Sequence, residues 1–126
     1  MFSAVSTSST SNMQIQLGTG VGPTYATSGY TGAISLGTTN TFITTGIGVT
    51  QTTAAATTYS GQIVIQLVDT TNFLWVANGN IAGSVTQGTA NIASTIGLGA
   101  ALTAVRVTTI LGTATFDNGY INVLYE

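Results

Sequence analysis

Apolar and polar residues alternate along most of this chain, and the alternation limits the possible folds more than any other feature. In the segment NMQIQL, glutamines separate Met13, Ile15 and Leu17. The segments GQIVIQLVD, NFLWVAN, AVRVTTI and YINVLYE follow the same period of two. Because successive side chains of a strand point to opposite sides, this period indicates half-buried β-strands rather than helices.

Short turn-forming segments separate the alternating stretches. They are VGP, which contains the single proline, and SGYTG, LGTTN, DTTN, NGN and FDNG. A short helix near residues 90–104 is disfavoured by Gly97 and Gly99. Counting the alternating segments predicts about eight strands. We therefore expect an all-β fold, an antiparallel β-sandwich of jelly-roll-like type, in a single domain that spans residues 1–126.

Charge is almost absent from the sequence. Only 3% of the 126 residues are charged, against about 25% in an ordinary globular domain. Threonine, serine, asparagine, glutamine and glycine must therefore cover the surface, and such a surface loses its water at low cost. The composition fits a protein that packs against other protein, as virion parts do, and equally a secreted or cell-surface β-domain with a threonine-rich face.

The same composition argues against two classes of partner. Nucleic acid binding needs several phosphate contacts from lysine or arginine, and this chain has one basic residue. Polar residues break every apolar run before the length of about 18 residues that a membrane helix needs.

Residues 1–12 lack the features of a signal peptide. We expect them to act either as a docking arm, which adds an edge strand to a neighbouring sheet, or as the first strand of the protein's own sheet.

The chain offers few groups for catalysis. It has no histidine and no lysine, so no ordinary general base is available near neutral pH. The acids are Asp69 and Asp117, both in predicted turns, and Glu126, the last residue. A calcium site at Asp69 or Asp117 lacks any recognised ligand spacing. We expect no enzyme activity, no metal site and no cofactor.

Five aromatic residues are candidates for a sugar-binding platform, namely Tyr25, Tyr30, Tyr59, Trp75 and Tyr120. Trp75 lies in an alternating apolar segment, which favours a place in the core. Tyr25 and Tyr30 lie in a predicted loop, which makes them candidates for a contact surface.

Two segments, IQLVDTTNFLWVANG and AVRVTTILGTATFDNGYINVLYE, carry a specific order of residues. The second follows the pattern V-R-V/I-T-T-x-x-G-T-x-T-F-D-x-G-x-I-N-V/I-L-Y-E. The matching positions include Arg106, Thr108, Thr109, Gly112, Thr113, Phe116, Asp117, Gly119, Ile121, Asn122, Tyr125 and Glu126. This half of the chain resembles a C-terminal module that recurs in surface proteins of tailed bacteriophages, including small capsid decoration (cement) proteins.

The resemblance implies a non-enzymatic β-sandwich on a phage particle, often as a trimer, and the leading interpretation is a capsid decoration protein. Its partners would be the major capsid protein and further copies of the chain itself. Two alternatives remain open at this point. One is a receptor-binding or tail-fibre module that recognises a host surface glycan, and the other is a carbohydrate-binding domain of a secreted protein.

The single basic residue, Arg106, lies on the polar side of its predicted strand. If neighbouring strands bring them together, Arg106 can bind the carboxylate of Asp117 or Glu126. The arginine fork binds a carboxylate through two hydrogen bonds. We therefore predict a structural clamp formed by Arg106 with Asp117 or Glu126.

Overall fold

The computed structural model of this chain describes residues 1–51, 54–84 and 88–125. The strands within these ranges are β1 (Phe2–Thr7), β2 (Met13–Thr19), β3 (Thr24–Tyr25), β4 (Thr31–Leu36), β5 (Thr39–Phe42), β6 (Ile47–Gly48), β7 (Tyr59–Asp69), β8 (Leu74–Gly83), β9 (Gly88–Gly97), β10 (Leu102–Thr109) and β11 (Phe116–Ile121). None of the described residues belongs to a helix that is long and apolar enough to cross a membrane.

The strands form two sheets in which all neighbours are antiparallel. The first has seven strands in the order β11-β1-β7-β8-β9-β4-β5, and the second has the order β10-β2-β3, with β6 also paired to β2. The predicted all-β sandwich is confirmed. Eleven strands are present in the described ranges instead of about eight, because β3 and β6 have two residues each and β5 has four, which is too short to show an alternating pattern.

The hydrophobic core lies between the two sheets. As the alternation predicts, Met13, Ile15 and Leu17 of β2 point inward and are buried. They pack in one cluster with buried side chains of the seven-stranded sheet, such as Ile34 and Ile81. Full burial of a side chain of this size contributes about 1.5–3 kcal/mol, so this cluster is the main source of stability.

The N-terminal stretch is part of the protein's own sheet. β1 lies between β11 and β7 and pairs with both, so residues 2–7 are the first strand of the protein's own sheet and not a docking arm. Phe2 and Val5 are buried in the core. A bulge gives Ala4 a positive φ of 51°. Gly119 lies opposite, and a β-carbon on Gly119 would be 2.4 Å from the carbonyl oxygen of Ala4.

Two of the predicted turns lie inside strands. The segment NGN at residues 78–80 is in the middle of β8, and FDNG at residues 116–119 is in β11. Asn78 and Asn80 are exposed to solvent. Gly79, between them, lies so close to β7 that a β-carbon on Gly79 would be 2.2 Å from the carbonyl oxygen of Gln62. A close approach of two backbones thus explains Gly79, and the prediction of a turn there was wrong.

Candidate functional site

Arg106 lies on the outer side of the four-stranded sheet, where its strand pairs with β2. One guanidinium nitrogen, Nη2, donates a hydrogen bond of 2.5 Å to Oε1 of Gln16, the residue opposite in the register. The guanidinium carbon lies 4.3 Å from the centre of the Tyr25 ring. The aromatic contact and the hydrogen bond together hold the orientation of the guanidinium plane.

Two glutamines beside Arg106 are buried, although they point away from the core between the sheets. The segment that leads into β6 covers them: Gln16 donates from Nε2 to the carbonyl oxygen of Thr45 at 2.8 Å, and the Thr45 hydroxyl donates to Oε1 of Gln14 at 2.8 Å. Gly46 approaches so closely that a β-carbon would lie 2.8 Å from the Gln14 Oε1 atom. Burial of both amides is therefore matched by hydrogen bonds.

These residues border a polar hollow of about 310 Å³. Gln14, Gln16, Arg106 and Thr108 line one part of it, and the segment after β10 lines the rest. The arginine thus lies next to a space that a small polar group can enter. In the described ranges, no group of three or more histidine, cysteine, aspartate or glutamate residues has a geometry that could hold a metal ion.

The predicted clamp partners lie elsewhere. β10 belongs to the four-stranded sheet and β11 to the other, because the chain crosses between the sheets after Thr109. The carboxylate of Asp117 accepts a hydrogen bond from the hydroxyl of Ser6 on the neighbouring strand. Arg106 therefore clamps Gln16 and Tyr25, and the structure does not bring it to Asp117. Glu126 lies outside the described residues.

Asp69 has the turn role expected of it. Its carboxylate accepts hydrogen bonds from the backbone N–H groups of Thr71 and Asn72 and from the Asn72 side chain, which closes the β7–β8 hairpin. The hydrogen bonds from the Asn72 side chain and backbone, and from the Thr71 backbone, hold the pKa of Asp69 below its ordinary value of 3.8. This carboxylate stabilises a turn and is not placed for chemistry.

The five aromatic candidates do not form an open platform. Tyr59 is buried in the core, and the exposed Tyr120 lies on β11, in the other sheet from Tyr25. Tyr30, predicted at a contact surface, is 2% exposed, and its hydroxyl oxygen accepts a hydrogen bond of 2.8 Å from the Leu17 backbone N–H. Burial raises the pKa of Tyr30 above its ordinary value of 10.0. Tyr25 is half-buried beside Arg106. Trp75 is partly buried against the core, as its alternating segment predicts.

An uncharged surface covers the outer face of the seven-stranded sheet, defined here as the outward residues of β7, β8, β9, β4 and β5. The pairing registers place these residues in rows across the sheet. One row consists of Gln62, Asn80, Asn91, Ser35 and Asn40. Within it, the Asn80 amide donates to Oδ1 of Asn91, and the Ser35 hydroxyl donates to Oδ1 of Asn40.

An apolar hollow lies beside this row on the same outer face. Its volume is about 460 Å³, and Phe42, Val76 and Ala93 are among the residues that line it. Phe42 is 80% exposed at the end of β5. The outer face therefore combines uncharged amides with an exposed aromatic ring and short apolar side chains.

The sequence analysis did not identify this face, although part of the signal is visible in the sequence. The outward positions of β7 and β8 alternate with core positions and carry glutamine, asparagine, serine and small apolar residues. What the sequence does not show is that five such strands are neighbours in one sheet. Comparisons with protein-family models, with curated proteins and with solved structures found no match to this chain.

Proposed function

We propose that this chain is a structural virion protein that decorates the outer surface of a phage capsid and stabilises it. Its partners are the major capsid protein and further copies of the chain. The C-terminal residues that resemble phage surface proteins support this proposal. The observation that carries it is the uncharged outer face of the seven-stranded sheet.

An uncharged face is suited to docking because the cost of removing water from it is small. Burying a charged side chain without a partner costs several kcal/mol, whereas amides and hydroxyls can exchange water for hydrogen bonds across an interface. The cores of protein interfaces are accordingly depleted in charged residues. The rows of amides and the shallow hollow of the outer face supply both hydrogen-bonding groups and apolar contact area.

The experiment uses empty capsids that lack this protein, mixed with the purified chain and pelleted. Val64→Asp places a charge on the outer face, where Val64 is 44% exposed. Val21→Asp makes the same chemical change in the turn between β2 and β3, where Val21 is fully exposed. We expect Val64→Asp to lose binding to the capsid and Val21→Asp to keep it, with unchanged melting curves for both.

Two outcomes would contradict the proposal. The first is that the unmodified chain does not pellet with capsids at any concentration. The second is that both variants bind as well as the unmodified chain, which would remove the outer face from the interaction.

The alternative, a module that recognises a host surface glycan, is favoured by one specific feature. Phe42 is exposed next to the amide row, where Asn40 lies two residues away on the same strand. An exposed aromatic ring can stack on a sugar while neighbouring amides bind its hydroxyl groups. A glycan array decides between the two functions: specific hits that disappear in Phe42→Ala would favour glycan recognition over capsid decoration.

A further inference from the structure

We propose that the free edge of β11, together with residues 122–125, pairs with the same segment of a second copy of this chain. This segment, residues 116–125, is called the C-terminal edge below. The inference does not depend on the docking of the outer face to a capsid, because it concerns another surface and a contact between identical chains.

The backbone of β11 is open on one side. β11 is the last strand of the seven-stranded sheet and pairs with β1 only, and the strand order of the described residues places nothing against its other side. The pairing with β1 continues past the strand, since Asn122 and Met1 exchange two backbone hydrogen bonds. An edge of this length presents a row of unpaired N–H and C=O groups that a second strand can pair with.

Large apolar side chains are concentrated on the same segment. Tyr120 is 82% exposed, Leu124 80% and Tyr125 94%, and Phe116 and Val123 are exposed as well. The two tyrosines alone present roughly 350 Å² to solvent, because an aromatic side chain of this size has an area of about 200 Å². A standard interface buries about 800 Å² on each partner, so the C-terminal edge supplies a large part of what a stable pair needs.

The edge has few of the features that normally prevent strands from pairing. Natural edge strands carry lysine, proline, inward-pointing charges, β-bulges or a very short length. Of these, β11 has register shifts against β1, between Ser3 and Ser6 and between Ser6 and Thr7. β11 has a single charged residue, Asp117, and its carboxylate already binds the Ser6 hydroxyl. In an antiparallel pair that sets residues 116–125 against themselves, the centre lies between Tyr120 and Ile121, and each Asp117 lies opposite Leu124 of the other copy. The two carboxylates therefore do not face each other.

The other edge of the sheet is a weaker candidate. β5 has only four residues, and Phe42 is its single large apolar side chain. Pairing of β11 with itself therefore forms the longer and more apolar contact. Such a contact has two-fold symmetry and joins copies in pairs, whereas the phage resemblance implies trimers.

Sedimentation velocity across a dilution series tests the pairing. We expect a reversible dimer for the unmodified chain. Tyr120→Asp and Leu124→Asp should each raise the dimer dissociation constant by about 30-fold, the effect of losing one strong interface residue. Phe42→Asp is the matched control, since it places the same charge on an exposed aromatic position at the opposite edge, and it should leave the dissociation constant unchanged.

Hydrogen exchange of the dimer adds a readout of the backbone. The amides of residues 116–122 should exchange more slowly at high protein concentration than at low concentration, and the difference should vanish in Tyr120→Asp. A chain that remains monomeric at all concentrations would overturn the proposal, as would a dimer that tolerates both C-terminal variants. An assembly that Phe42→Asp disrupts equally would overturn the self-pairing of β11.

Discussion

Replacement of Arg106 by leucine tests whether the only basic residue of the chain has a structural role. The variant loses the hydrogen bond from Nη2 to Gln16 and the contact with the Tyr25 ring. Gln16 is 4% exposed, so its Oε1 atom loses a partner at a largely buried position beside the polar hollow.

The magnitude follows from these two contacts. Leaving a buried acceptor without a partner costs about 1–3 kcal/mol, and the hollow favours the lower part of that range. A cation–π contact at an exposed site contributes about 0.5–1 kcal/mol. We expect Arg106→Leu to lower the free energy of unfolding by about 2 kcal/mol, which corresponds to a fall in Tm of roughly 6–10 °C for a chain of this size.

Urea denaturation followed by the fluorescence of Trp75 measures this free energy. Arg106→Lys keeps the charge but not the planar fork, and we expect it to lose a smaller part of the stability. In a background of Gln16→Leu, the replacement of Arg106 by leucine should cost less than it does alone, because the shared hydrogen bond is already absent. A free energy of unfolding for Arg106→Leu within about 0.5 kcal/mol of the unmodified chain would refute the structural role.

Three further predictions concern other parts of the fold. In the same urea assay, Gly79→Ala should lower the free energy of unfolding by about 3 kcal/mol, because the added β-carbon overlaps the backbone of β7. The control Gly97→Ala, whose β-carbon meets no atom closer than 3.8 Å, should change the free energy of unfolding by less than about 0.5 kcal/mol. Because the folded-state pKa of Asp69 is lowered, the carboxylate contributes fully to stability above the ordinary pKa of 3.8, and this contribution is lost as pH falls through the lower folded-state pKa. Thermal melts from pH 7 downward should show the loss in the unmodified chain, and an equally steep loss in Asp69→Asn would contradict the prediction. The affinity of the proposed binding to capsids should change by less than about threefold between low and high sodium chloride, because a chain with one cation and three acids has little long-range electrostatic attraction to screen. A steep fall of bound protein with salt in a pelleting assay would show that charge carries the interaction.

The sequence by itself determined the class of the fold and which residues of β2 point toward the core between the sheets. The period of two placed Met13, Ile15 and Leu17 in the core, and the aspartate of DTTN predicted the hydrogen-bonded turn at Asp69. Both are local properties: a side chain two residues away points to the same side of a strand, and an aspartate bonds to the backbone of its own turn. For that reason neither needs knowledge of which strands are neighbours.

Only the tertiary structure decided which residues meet. Arg106 binds Gln16 because β10 pairs with β2 in one sheet, whereas Asp117 lies on β11 in the other sheet. Tyr30 is buried, and its hydroxyl oxygen accepts a hydrogen bond from the backbone N–H of Leu17, which lies 13 residues earlier in the chain. The outer face and the open C-terminal edge depend in the same way on strand order. Strand order is set by how two sheets share one core, and an alternating pattern, which is the same for every strand, contains no information about it.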